Sequence, residues 1–189
     1  MLFPSKKNVG AYKATDLAFN KIMGKYVAIL DSHDYSHPKR IKKQVEELEK
    51  NLKIGLVLTK YKCVDTKNRI INNLKKEKTI SYNNFNRLFP CINLACNSSA
   101  MFRKKFIKEL FFYNKDLFYS YDYNFFLKIF KFSRIKFINK FYTFYRIHCN
   151  QRTNTLKKKI IFKENLYNLR WSAKNGLINR GNILIFLKN

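Results

Sequence analysis

Acidic residues are scarce in this chain: 12 Asp and Glu stand against 39 Lys and Arg, a formal charge of +27 over 189 residues. A basic surface of that size recruits phosphates, nucleic acid or anionic lipid. The charge is scattered, however, in runs no longer than Lys157-Lys158-Lys159. Lys, Asn, Ile, Phe and Tyr are abundant together, as an AT-rich genome encodes whatever the function, so a compositional and a functional reading of the charge both stay open. Proline and glycine are also few, 3 and 5, and 46% of residues are hydrophobic, which excludes a disordered chain. The length suits one domain, or slightly more, with a real core. No apolar run approaches the ~20 residues that span a bilayer. The start, Met1-Leu2-Phe3-Pro4-Ser5-Lys6-Lys7, has no apolar core of a secretory signal. A cytoplasmic chain is expected, peripheral to a membrane through its charge at most. The four cysteines (Cys63, Cys91, Cys96, Cys149) lack Cys-x-x-Cys spacing, which argues for reduced, mostly buried thiols and against a zinc cluster. There is no internal repeat.

What is present centres on residues 26–38. Tyr26 to Leu30 reads as a strand buried on both faces, and Asp31, His33 and Asp34 follow within four positions. Ligands of open α/β sheets sit beyond the carboxyl ends of strands, so this cluster points oxygen and nitrogen atoms at a cation. Before it, Ala14, Leu17, Ala18 and Ile22 predict one face of a helix over 11–23, stopped by Gly24. After it, Ser36 and Pro38 predict the start of a helix with a buried stripe of Ile41, Val45, Leu48 and Leu52. A strand is expected at 54–59, then a β-excursion or variable loop over 60–90 and strand material over Cys91–Phe102. Helices are expected over about 103–110 and 121–132, strands at 134–138 and 141–147. A last amphipathic helix from Leu156 is expected to bury Phe162, Leu166, Leu169 and Ala173. The tail Ile183-Leu184-Ile185-Phe186-Leu187 is apolar enough to need a partner surface.

Several of these pieces fall in a familiar order. Asn8-x-Gly10-Ala11-Tyr12-x-Ala14, Gly24-x-Tyr26, Leu30-Asp31-Ser32-His33-Asp34-Tyr35-Ser36-His37-Pro38, Arg40 and Gln44-Val45 resemble family 2 glycosyltransferases of the GT-A fold. So do Asn97-Ser98-Ser99-Ala100-Met101-Phe102-Arg103, Asp122-Tyr123 and Tyr145-Arg146-x-His148. The resemblance implies an α/β architecture: a partial GT-A, Rossmann-like mixed sheet flanked by helices over residues 1–150, with a helical extension over 151–189. It also implies transfer of a sugar from a nucleotide diphosphate, with a divalent cation and usually with inversion. A UDP-sugar is the leading donor, and a glycan, lipid or protein hydroxyl the acceptor.

Carried over residue by residue, the family's Asp-x-Asp metal motif falls on Asp31 and His33, with Asp34 as a trailing acid. A histidine replaces the usual second acid, as in polypeptide N-acetylgalactosaminyltransferases. Mn²⁺ accepts mixed imidazole and carboxylate ligands, whereas Mg²⁺ prefers oxygen, so Mn²⁺ is the expected cation. Asp31, Asp34 and Arg103 are the candidate cofactor contacts; Arg103 meets a phosphate or caps a strand. His148 stands where some relatives carry a further metal or phosphate ligand, or is an ordinary loop residue. His37 belongs with the helix start rather than the metal. Asp122 matches the family's catalytic base, or caps its helix. Tyr121 stands where a glutamate usually precedes that base.

The family's domain begins with two strand–helix units that hold the base and ribose, whereas the recognisable pattern here starts at Asn8. Roughly 60 residues or more of the donor half are then expected upstream, and the strand at 26–30 is expected to present an unpaired edge. Two further readings stay open: an inactive remnant completed by a second polypeptide, and a basic nucleic-acid-binding protein, for which no recognised motif is present.

Overall fold

The computed structural model describes residues 7–71, 84–110, 117–149, 151, 155–179 and 182. In chain order the helices and strands are α1 (Ala11–Phe19), β1 (Tyr26–Ala28), β2 (Tyr35–Ser36), α2 (Arg40–Lys50), β3 (Ile54–Val64), β4 (Ile70–Ile71) and α3 (Phe85–Leu88). A 3₁₀ turn at Asn97–Ser99 follows, then β5 (Met101–Arg103), α4 (Lys105–Leu110), α5 (Tyr121–Phe132), β6 (Arg134–Arg146) and α6 (Lys158–Lys174). The strands form one mixed sheet in the order β1-β5-β3-β6-β2, with β4 on the far half of β3. β3 and β6 are parallel, and β5 lies antiparallel between β1 and β3, so β1 and β3 point the same way.

Alternation along β3 divides the interior in two, because successive side chains leave opposite faces of a strand. Leu56 and Leu58, both fully buried, join Phe102, Phe125, Phe126 and Ile129 on the side covered by α5. Val57 joins Leu48 of α2 and Met101 on the other side. Gly55 has no side chain for a positional reason: a Cβ there would lie 2.1 Å from Ser133 Oγ and 2.6 Å from the Phe106 ring.

α5 and the final helix stand where the sequence places them, but the details elsewhere differ. α1 ends at Phe19 and buries Tyr12 and Phe19, while Leu17 is exposed. The larger rings decide this: Phe19 packs edge-on against Phe102, and Tyr12 against Tyr121. β1 is shorter than 26–30 and buries Val27 alone. It is an edge strand, paired only with β5 among the described residues, and not one covered on both faces. Ser36 lies in β2, so α2 starts later, at Arg40, and its buried face is Arg40, Gln44 and Leu48. The strands expected at 134–138 and 141–147 are one strand, β6, whose extra residues are taken up in bulges opposite Thr59, Lys60 and Tyr61. In α6 the buried residues are Glu164, Asn168 and Ser172, while Phe162 is 69% exposed. Of the apolar stripe expected there, Phe162, Leu169 and Ala173 are turned outward and Leu166 is half-buried. The tail from Ile183 to Leu187 lies outside the described residues.

Candidate active site

The chain leaves β1 at Ala28 and is held by the segment around Asn97–Ser99. Ile29 donates its N–H to Ala100 O (2.9 Å), and Asp31 donates its own to Ser98 Oγ (3.0 Å). Asn97 Nδ2 donates to Asp31 Oδ1 at 3.1 Å, setting that carboxylate. Asp34 N–H closes a turn onto Asp31 O at 2.9 Å. Consequently Asp31, His33 and Asp34 face one another, with a ligand atom of each within 4.8 Å of the others.

Asp34 is the unusual member. Its side chain is fully buried, and His33 Nε2 lies 3.6 Å from its Oδ1. That Oδ1 accepts the Arg146 backbone N–H at 2.8 Å, while Oδ2 is buried with no hydrogen-bond partner. Burial pushes the Asp34 carboxyl up from its ordinary value, against the opposing Arg146 N–H. The Arg146 side chain braces the same turn: Nε donates to His33 O (2.7 Å), and Nη1 and Nη2 reach Asp65 O (2.8 Å) and Asn68 Oδ1 (2.7 Å). His148, just past β6, lies edge-on to His33 with ring centroids 5.0 Å apart. His37 serves the entry to α2, where its Nδ1 accepts the Lys39 N–H at 3.1 Å.

Asp122 sits in the first turn of α5, its Oδ1 accepting the Tyr123 N–H at 2.7 Å. Only Ser133 separates α5 from β6, so the helix runs back along the sheet for about 18 Å. Its first turn therefore rises at the same end of the sheet as the turn after β1. Tyr12 of α1 packs 4.8 Å from the Tyr121 ring beside it.

Arg103 is not part of this arrangement. β1 and β5 pair so that Arg103 faces Tyr26, at the opposite end from Ala28. Its buried guanidinium donates to Ile54 O (2.8 Å), Leu48 O (2.5 Å) and the Tyr26 hydroxyl (3.3 Å). Those bonds tie the end of α2 to the starts of β1 and β3, at the end of the sheet away from the Asp31 cluster. Sequence reasoning gave no role to Arg40, Gln44, Arg146 or Asn97. Arg40 Nη2 binds Ile29 O (2.8 Å) and Ala100 O (3.1 Å), and its Nε binds Gln44 Oε1 (2.9 Å). Gln44 Nε2 in turn donates to Val57 O and Ser99 O, so the two residues fasten the floor beneath the acidic turn. Burial lowers the Arg40 guanidinium to about 10. The signal for this pair was an arginine and a glutamine at i, i+4 on the inward face of an otherwise amphipathic helix.

Residues 2–111 match the family described as Glycosyl transferase family 2. The chain is 28% identical over 177 residues to an uncharacterized glycosyltransferase of Methanocaldococcus jannaschii, covering 93% of this chain and 60% of that protein. It is 27% identical over 169 residues to the chondroitin synthase of Escherichia coli, covering 86% of this chain and 23% of that protein. The chain thus spans less than two thirds of the length of these relatives. Among solved structures it resembles S. aureus TarS 1-349 in complex with UDP-GlcNAc, with a TM-score of 0.57 and 18% identity over 78% of this chain and 42% of that one. It also resembles glucosyl-3-phosphoglycerate synthase from Mycobacterium tuberculosis in complex with Mn²⁺, UDP and glucosyl-3-phosphoglycerate. There the TM-score is 0.56 and the identity 17%, over 95% of this chain and 59% of that one. These likenesses establish a shared GT-A fold, and with the family match over more than half its length the chain belongs to glycosyl transferase family 2.

Proposed function

We propose that this chain carries the cation site and the catalytic base of an enzyme that transfers a sugar from a UDP-sugar to an acceptor hydroxyl, with inversion. The observation that supports this best is the buried Asp34 carboxylate, its Oδ2 without a donor, grouped with Asp31 and His33. Leaving one oxygen of a buried carboxylate without a donor costs about 1–3 kcal/mol, and a divalent cation relieves that cost. Two carboxylates and an imidazole suit Mn²⁺ better than Mg²⁺. When bound, the cation would offset the charge that grows on the leaving diphosphate. Asn97 holds Asp31 in place for that role, and Arg146 holds the His33–Asp34 turn. His148 stands against His33 and fixes the plane of its ring. Asp122 takes the proton of the acceptor hydroxyl as it attacks the anomeric carbon. Direct displacement aided by one base, with no nucleophile from the protein, inverts that centre.

We place the contacts to base and ribose beside the outer edge of β1, where no strand pairs among the described residues. They come from further sequence or from a second polypeptide. The test is thermal unfolding with Mn²⁺ and UDP together. A ligand at about 100 times its Kd adds about 2.7 kcal/mol to stability, a rise of several degrees in Tm. That rise is expected only with both present, and not in Asp31→Ala. An unchanged Tm of the unaltered chain with every nucleoside diphosphate and Mn²⁺ contradicts the reading.

A further inference from the structure

α6 lies far along the chain from the acidic turn, yet its one buried carboxylate reaches the start of the helix that carries Asp122. Glu164, 3% exposed, accepts three successive backbone N–H groups. Phe118 donates to Oε1 (2.9 Å), Tyr119 to Oε2 (2.9 Å) and Ser120 to Oε2 (2.8 Å). The Ser120 hydroxyl adds a fourth bond at 3.1 Å. Ser120 occupies the N-cap position of α5, but its side chain caps nothing in its own helix. It serves α6 instead, accepting Asn168 Nδ2 at 2.8 Å, while Asn168 Oδ1 accepts Asn124 Nδ2 at 2.9 Å. Ser120, Asn124, Glu164 and Asn168 are all buried.

α6 is therefore set on α5 by a ladder of polar contacts, Glu164 and Asn168 one turn apart, with Trp171 packed against the core farther along the helix. A hydrophobic stripe tolerates sliding and rotation. A carboxylate shared by three consecutive amides does not, because each bond has a direction. The residues so gripped, 118–120, end two positions before Asp122. Burial raises the Tyr119 phenol, and the charges of Asp122 and Glu164 add to that, so this ring senses both carboxylates.

We infer that Glu164 is the positioning residue of Asp122: it locks residues 118–120 and so sets where the Asp122 carboxylate stands. It touches neither donor nor acceptor. The inference rests on the reading of Asp122 as the base, but its test does not need turnover. In the full chain labelled with ¹³C-aspartate, the carboxyl resonances of Asp31, Asp34 and Asp122 are compared between the unaltered protein and Glu164→Gln. The amide faces the same N–H groups with one acceptor instead of two. The Asp122 signal is expected to move or split, with Asp31 and Asp34 unchanged and amide exchange at 118–120 at least tenfold faster. Ser120→Ala, which removes one donor to Glu164, gives a smaller change in the same signal should the glutamine variant fail to fold. An Asp122 signal that stays put, or three signals that move together, overturns the inference. Binding of UDP with Mn²⁺ is measured by calorimetry on the same samples. Its absence from the unaltered chain strikes the proposed function and leaves the resonance result to decide on Glu164. Where binding is present it is expected to agree within twofold between the two proteins, while UDP release from a UDP-sugar falls at least tenfold in Glu164→Gln. A matching loss of binding would instead mark Glu164 as merely structural.

Discussion

Asp34 and Arg146 stand 112 positions apart in sequence, and the backbone N–H of Arg146 donates to Asp34 Oδ1 at 2.8 Å. The Arg146 side chain meanwhile clasps His33 O and, across the sheet, Asp65 O. One residue at the end of β6 thus holds the two inner members of the acidic turn. Partners behind metal ligands typically contribute 10–100-fold in affinity. Arg146→Lys keeps the backbone bond and the charge but loses the guanidinium fork. Mn²⁺ affinity, read by calorimetry with UDP present, is expected to fall by about tenfold. An unchanged affinity would show that the turn needs no brace.

Asp34 offers a test in which stability and function part. Its folded carboxyl is raised by burial. A raised carboxyl supports the fold below its unfolded value, and that support is lost as pH rises through the folded one. At neutral pH the ionised group is therefore a burden on the metal-free fold. Asp34→Asn is expected to unfold at the same or a higher temperature than the unaltered chain at pH 7, with the difference vanishing toward pH 3. It should also lose the stabilisation by Mn²⁺ and UDP. A large drop in Tm at pH 7 would mean that the charge itself holds the turn.

Arg103 should behave in the opposite way. Truncation to Ala strips donors from Ile54 O and Leu48 O, and each buried carbonyl left bare costs about 1–3 kcal/mol. Urea unfolding should show that loss, while the affinity of the folded variant for Mn²⁺ with UDP stays within twofold. A selective loss of nucleotide affinity would return Arg103 to the phosphate.

For Asp122 the expected signature is a split between binding and chemistry. Asp122→Asn keeps the first turn of α5 and should bind UDP with Mn²⁺ unchanged. General-base assistance is worth about 10²–10⁴-fold in rate, so UDP release from a UDP-sugar should fall by that order. A variant that turns over normally removes Asp122 from the chemistry.

How far the sequence alone reached follows from distance along the chain. Asp31, His33 and Asp34 were legible because they are nearly contiguous and follow an apolar run. α5 was legible because twelve residues between Ser120 and Ser133 keep a helical period. The groups that complete the site were not. Asn97 and Arg146 stand in stretches that resemble the family, but they and Glu164 act over 44 positions or more, so their partners cannot be read from their neighbours. The outward apolar face of α6 was misread for a related reason: periodicity favours Phe162 and Leu169, whereas bonds from residues 118–120 select Glu164. At β6, Asn139 and Lys140 look like a break, and only the parallel partner β3 shows that they are a bulge.

The central claim is that Asp31, His33 and Asp34 hold a cation that carries the nucleotide. Mn²⁺ is paramagnetic, so pulsed electron paramagnetic resonance of the full chain with Mn²⁺ and UDP reads its ligands directly. The account predicts coupling to one imidazole nitrogen and to the ³¹P nuclei of UDP, with the nitrogen coupling lost in His33→Ala and both lost in Asp31→Ala. A ³¹P-coupled Mn²⁺ with no nitrogen signal, or a nitrogen signal that survives in His33→Ala, would contradict it.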